Sequence, residues 1–99
     1  MKKTFYLVFL SLALLAFQSK AQEKMVSGKV SADDGSILPG VSITIKGTTR
    51  GTSSDADGSY KISVPSGGSL IFSFVGFDSQ DVSVGNKSIV NVTLVQSAG

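Results

Sequence analysis

Cysteine, histidine and tryptophan are absent from this sequence of 99 residues. Without cysteine there is no disulfide, no thiol nucleophile and no attachment point for a lipid near an export cut. Without histidine there is no Ser-His-Asp triad and no Cys₂His₂ or His-rich zinc site. Charge is also scarce, with 16% of residues charged against 41% hydrophobic. That balance is too apolar for a disordered chain and too weakly charged for a nucleic-acid binder. The length holds one domain at most. No nucleophile and base stand in a recognisable arrangement, so the sequence reads as non-enzymatic.

What is present begins with an address. Lys2 and Lys3 precede the uncharged, mostly apolar run Phe5–Phe17, and Gln18-Ser19-Lys20-Ala21-Gln22 follows. Cations, a short apolar run and small residues at −3 and −1 are the order of a secretory signal. Ser19 and Ala21 are those small residues. The pattern predicts a cleaved signal peptide over 1–21 and a mature domain over 22–99. Phe5–Phe17 is shorter than the roughly 20 residues that span a bilayer, so no membrane span is expected in the mature chain. Cleavage also changes the charge. The full chain is +2, whereas residues 22–99 keep 6 basic residues (9 less Lys2, Lys3 and Lys20) against 7 acidic ones, net −1. The basic balance of the precursor is therefore no argument for nucleic acid or anionic lipid.

From Gln22 onward apolar residues recur with period two, the spacing of half-buried strands. Val26, Gly28 and Val30 alternate with Ser27, Lys29 and Ser31. Val41, Ile43 and Ile45 alternate with Ser42, Thr44 and Lys46, and Tyr60, Ile62 and Val64 with Lys61 and Ser63. Gly51–Ser54 reads as a short strand. Leu70–Val75 is apolar on both faces except for Ser73, which predicts a place inside a sheet. Phe77–Val84 and Ile89–Val95 complete the set, the latter with Val90, Val92 and Leu94 on one face. Turn residues punctuate the runs at Asp33-Asp34-Gly35-Ser36, Pro39-Gly40, Asp55-Ala56-Asp57-Gly58, Ser66-Gly67-Gly68 and Gly85-Asn86-Lys87. Seven short strands with turns every 8–12 residues predict an all-β, seven-stranded Greek-key β-sandwich. Ile43 and Phe72 are predicted core residues, with Thr44 and Lys61 facing solvent.

Six ordered blocks carry a family resemblance. Val26-Ser27-Gly28-Lys29-Val30 is followed by Asp34-Gly35 and Leu38-Pro39-Gly40-Val41. Next come Ile45-Lys46-Gly47-Thr48 with Gly51-Thr52, then Asp55-Ala56-Asp57-Gly58-Ser59-Tyr60. Phe72-Ser73-Phe74-Val75-Gly76-Phe77 and Asn91-Val92-Thr93-Leu94 close the series. Together they resemble the carboxypeptidase regulatory-like domain, whose fold is a prealbumin-like seven-stranded sandwich. Domains of this flavour stand, after a signal peptide, at the N-terminus of SusC/RagA-type TonB-linked outer-membrane transporters, ahead of a plug and a β-barrel. The resemblance implies a non-catalytic interaction or regulatory module in the periplasm, part of a TonB-dependent nutrient transporter such as one for carbohydrate uptake. Its expected partners are the plug and barrel or periplasmic coupling proteins. The 99 residues contain neither plug nor barrel, which leaves a fragment of such a transporter or a stand-alone copy. The alternative is a free-standing secreted carbohydrate-binding or adhesion domain with a glycan partner. That reading rests on fold-level analogy, and no tryptophan is available for sugar stacking.

Individual motifs have simple readings. Ser53-x-Asp55-x-Asp57-Gly58 has the form of the start of an EF-hand loop, but that loop needs a bidentate Glu at position twelve, which here is Val64. Asp55, Asp57 and Gly58 are therefore read as a structural turn, with no metal and no cofactor expected. Tyr60, Phe72 and Phe74 share parity with aliphatic neighbours and are expected in the core. Phe77, beside Gly76, is the candidate surface contact. Lys29, Lys46 and Lys61 alternate outward and Glu23 is the sole glutamate, so an internal isopeptide cross-link is not expected. Asn86-Lys87-Ser88 and Asn91-Val92-Thr93 fit the N-glycosylation pattern, which is common by chance and does not suit a signal of bacterial appearance.

Overall fold

The computed structural model describes residues 22–98. The expected leader, 1–21, lies outside them. Seven strands follow in order: β1 Glu23–Ala32, β2 Ser42–Ile45, β3 Gly51–Ser53, β4 Ser59–Pro65, β5 Ser69–Ser73, β6 Gln80–Ser83 and β7 Val92–Leu94. They form a three-stranded sheet, β4-β1-β7, and a four-stranded sheet, β3-β2-β5-β6. Among the described residues there is no helix, and so none that is long and apolar enough to cross a membrane. All pairings are antiparallel except β1 with β7, where Val30 lies beside Val92 in parallel.

Alternation decides what lies between the sheets, because successive strand side chains point to opposite faces. Val26 and Val30 of β1, Tyr60, Ile62 and Val64 of β4, and Val92 and Leu94 of β7 enter the core from one sheet. Ile43 and Ile45 of β2 and Leu70 and Phe72 of β5 enter from the other. Tyr60 and Phe72 meet edge to face across the gap, with centroids 5.4 Å apart and an interplanar angle of 77°. This is a favoured geometry for aromatic rings. Lys29, Lys46 and Lys61 face outward as expected, whereas Thr44 is half-buried rather than open.

Several strand ends differ from the expectation, two of them at one corner. β5 stops at Ser73, and Val75 projects from the fold at 93% exposure. β6 begins at Gln80 instead of Phe77. Both have one cause. Gly76 takes φ +88°, a region that L side chains rarely adopt, and the Phe77 N–H folds back onto the Phe74 carbonyl at 3.1 Å. The chain turns there, leaving Phe77 a single bridge to Gln96. β7 is likewise shorter than Ile89–Val95 and β1 begins earlier than Val26.

The turns gather at two ends of the sandwich. The connections after β1, β3 and β5 share one end with segment 95–98, as bonds from Gly40 to Ser54, Asp78 to Val95 and Ser97 to Gly76 show. Asp33, Asp34, Asp55, Asp57 and Asp78 all lie in these segments, which contain no Lys or Arg. Lys24, Lys46, Arg50 and Lys87 lie towards the other end, and Lys29 and Lys61 on the outer face of the three-stranded sheet.

Candidate functional site

The β3–β4 connection is built by one carboxylate. Asp55 Oδ1 accepts from the N–H groups of Asp57 and Ser59, each at 2.9 Å, while the Asp55 N–H donates to the Ser59 carbonyl at 2.9 Å. This is an Asx turn continued into the first rung of a hairpin. Gly58 completes it at φ +75°, and a Cβ there would lie 2.5 Å from Ile37 and 2.9 Å from the Val30 carbonyl. Both backbone conformation and space therefore demand glycine. Asp57 stands exposed at the tip. Among the described residues no three His, Cys, Asp or Glu side chains converge as a metal cage requires.

Buried Ser54 belongs to the same stretch and is one link that alternation does not reveal. Its hydroxyl accepts from the Val41 N–H at 2.9 Å and donates to the Leu38 carbonyl at 2.7 Å. One small polar side chain thus ties the β1–β2 connection to the end of β3 and satisfies two buried backbone groups.

Phe77 lies half-buried against the core and beside Phe74, with ring centroids 5.9 Å apart. Val75 and Val95 are the exposed aliphatic residues of this corner. Phe77 and Asp55 belong to different turns at the same end, and the groove that Asp55 lines does not include Phe77.

A shallow groove of about 780 Å³ lies over the outer side of β1 and β4. Ser27, Lys29, Ser53, Asp55, Ser59 and Lys61 contribute to it. Its floor includes Gly28, where a Cβ would lie 1.9 Å from the Val90 carbonyl oxygen. That carbonyl also accepts the Tyr60 hydroxyl at 2.6 Å. Burial pushes the Tyr60 phenol up to about 12. The groove therefore presents a fixed floor, two exposed amines, several hydroxyls and the Asp55 carboxylate, whose Oδ1 is engaged by the Asp57 and Ser59 N–H groups.

Arg50, the only arginine in the sequence, reaches the far part of β4 from the β2–β3 connection. Its guanidinium pairs with Glu23 at 2.6 Å and donates to the Ser63 carbonyl at 3.2 Å. The hydrogen bond from Arg50 holds the Glu23 carboxyl below its ordinary value, and the same contact raises the guanidinium. Glu23 is conspicuous in the sequence but its partner is not, because Arg50 lies 27 positions away in a turn.

Comparison with known proteins agrees with this architecture. A family model described as CarboxypepD_reg-like domain matches residues 26–98. The chain is 46% identical over 89 residues to TonB-dependent receptor P3 of Formosa agariphila, a match covering 88% of this chain and 9% of that protein. It is 42% identical over 76 residues to TonB-dependent receptor P26 of the same organism, covering 77% of this chain and 8% of the relative. To TonB-dependent receptor SusC of Bacteroides thetaiotaomicron it is 34% identical over 70 residues, covering 71% of this chain and 7% of the relative. The chain thus spans less than a tenth of the length of these curated relatives.

Proposed function

The chain belongs to the CarboxypepD_reg-like domain family, and from that premise we propose that it is a non-catalytic docking or regulatory module of a TonB-dependent outer-membrane nutrient transporter. The carrying observation is the match to TonB-dependent receptors across most of this chain but under a tenth of theirs. A small rigid sandwich that forms one part of a much longer receptor has the size of an accessory domain. In this reading residues 1–21 are a signal peptide removed on export, and 22–99 form the domain. The module lies in the periplasm at the outer membrane. The barrel and plug of the receptor, or the proteins that couple energy to it, are its partners. Its own chemistry is recognition: hydroxyls, amines and strand edges on a fixed core.

The reading frame in genomic DNA tests the transporter part directly. Plug and barrel sequence continuing in frame beyond Gly99, or after a nearby frameshift, is the expected result. Its absence would remove the basis for a transporter component. N-terminal sequencing of exported protein should give Gln22 as the first residue, and a mature form retaining Phe5–Phe17 would refute the cleavage.

A further inference from the structure

Strand β4 lies at the edge of the three-stranded sheet, and its register determines what it offers. The Ser66 N–H donates to the Gln22 carbonyl at 3.1 Å and the Val30 N–H to the Gly58 carbonyl at 2.8 Å. Between these bonds the partners run from Glu23 opposite Pro65 to Lys29 opposite Ser59. Bonded and non-bonded pairs alternate along an antiparallel ladder. The bonded pairs are therefore Lys24–Val64, Val26–Ile62 and Gly28–Tyr60. Ser59, Lys61 and Ser63 turn their backbone groups away from β1. Asp55 uses both groups of Ser59, and Arg50 covers the Ser63 carbonyl. The N–H and C=O of Lys61 and the N–H of Ser63 have no partner among the described residues.

We propose that this edge receives an extended, acid-bearing peptide strand, which adds to the three-stranded sheet beside β4. The inference rests on the docking role proposed above and names the class of partner. Three unused backbone groups in a row are complementary to another extended backbone and to few other ligands. Charge selects which strand. A residue bonded opposite Lys61 places its side chain beside that amine on the outer face. Lys29 stands on the same face, and neither lysine forms an ion pair among the described residues. The next outward-facing position lies opposite Ser63, within reach of Arg50, where a second carboxylate competes with Glu23. The residue between them lies opposite Ile62, turns to the inner face and suits a short aliphatic side chain. The partner segment therefore alternates acidic and aliphatic residues. The groove of about 780 Å³ beside Lys29, Lys61 and Ser53 leaves room for it.

The test uses the exported chain and a defined probe, acetyl-Val-Glu-Val-Glu-Val-amide. Amide shifts and hydrogen exchange are followed during titration. Shifts centred on Lys61, Ser63 and Arg50, with slowed exchange at Lys61 and Ser63, are expected. Lys61→Ala should weaken binding about two- to fivefold, the range of an opposite-charge cross-strand pair. Replacing both Glu residues of the probe by Lys should abolish binding. N-methylation of the probe's backbone nitrogens removes its donors without touching the protein, and should abolish binding as well. Equal binding of the N-methylated probe, shifts centred elsewhere such as at Phe74 and Phe77, or no shifts at millimolar probe would overturn the proposal. A reading frame that ends at Gly99 would remove the transporter reading and leave this titration unchanged, so the two failures are distinguishable.

Discussion

At the scale of single residues, three side-chain positions explain constraints that hydropathy does not show. Gly28 is half-buried mid-strand, and the Val90 carbonyl occupies the place of its missing Cβ. Gly28→Ala must push β1 away from the 88–91 segment and break the Tyr60–Val90 bond. Its expected cost is about 1–3 kcal/mol or more, as for overpacked cores. Gly47→Ala, whose Cβ would meet nothing within 4 Å, carries only the strain of φ +82°, about 1–2 kcal/mol. Urea melts rank the two variants, and the reverse order would refute the contact argument. Ser54→Ala leaves the Val41 N–H without an acceptor and the Leu38 carbonyl without its donor. A loss of about 1–3 kcal/mol is expected in the same melts. Tyr60 makes a pH prediction. Its phenol is raised above the ordinary value near 10, so the folded state binds this proton more tightly than the unfolded chain does. The stabilisation is complete below about pH 10 and is lost as pH climbs towards 12, amounting to about 2–3 kcal/mol. Tyr60 is the only tyrosine in residues 22–99. The 295 nm absorbance of a chain of residues 22–99 should therefore titrate late and together with base-induced unfolding. A midpoint at pH 10 with the fold intact would refute it.

At the scale of elements, β2 and β5 form the centre of the larger sheet, with Ile43 paired to Phe72 and both fully buried. Truncating either to Ala removes burial and leaves a cavity, at about 2–5 kcal/mol. A domain of this size without disulfides has a total stability of only about 3–5 kcal/mol. Ile43→Ala and Phe72→Ala should therefore leave the chain largely unfolded by circular dichroism. Lys61→Ala should keep its stability within about half a kcal/mol. A normal melt for Phe72→Ala would mean that the ring is not in the core. These strands were legible because period-two alternation is itself the physical signature of a sheet with one buried face. Their ends were less so: a turn at Gly76 removed Phe77 from β6 even though its apolar character continued the pattern. Partnership was not legible either. Alternation says which side chains face inward but not which strand lies alongside, so the parallel pairing of β1 with β7 came only from the structure. The same limit applies to the site. The Asp55–Gly58 turn is local and could be read from four residues, whereas the Arg50–Glu23 pair and the open edge of β4 depend on elements distant in the chain.

At the scale of the molecule, the first and last strands are neighbours. β1 lies between β4 and β7, so the last strand completes the sheet begun by the first. The bond from the Lys29 N–H to Asn91 Oδ1 spans 62 positions. This arrangement also fixes the polarity of charge: β1 and β7 run together towards the end that carries Asp33, Asp34, Asp55, Asp57 and Asp78. The amines stay on the outer face and at the opposite end, so an incoming acidic strand at β4 meets Lys61 and Arg50, with the Asp55 carboxylate at the start of the same strand engaged by the Asp57 and Ser59 N–H groups. Both features require β7 to be in place. A chain cut after Ser88 loses Val90, Val92 and Leu94 from the core. Burial of each such side chain is worth about 1.5–3 kcal/mol. Their combined loss of about 4.5–9 kcal/mol matches or exceeds the total stability of about 3–5 kcal/mol expected at this size. The Tyr60 hydroxyl would lose its Val90 acceptor, and the backbone groups of β1 that face β7 would lose theirs. The shortened chain should show no cooperative urea transition and a collapsed amide spectrum, where the intact domain gives one sharp transition. A sigmoidal melt with dispersed amides from the shortened chain would show that β4, β1 and the four-stranded sheet form a stable core without β7. In that case the pairing of first strand with last would not be what closes the fold.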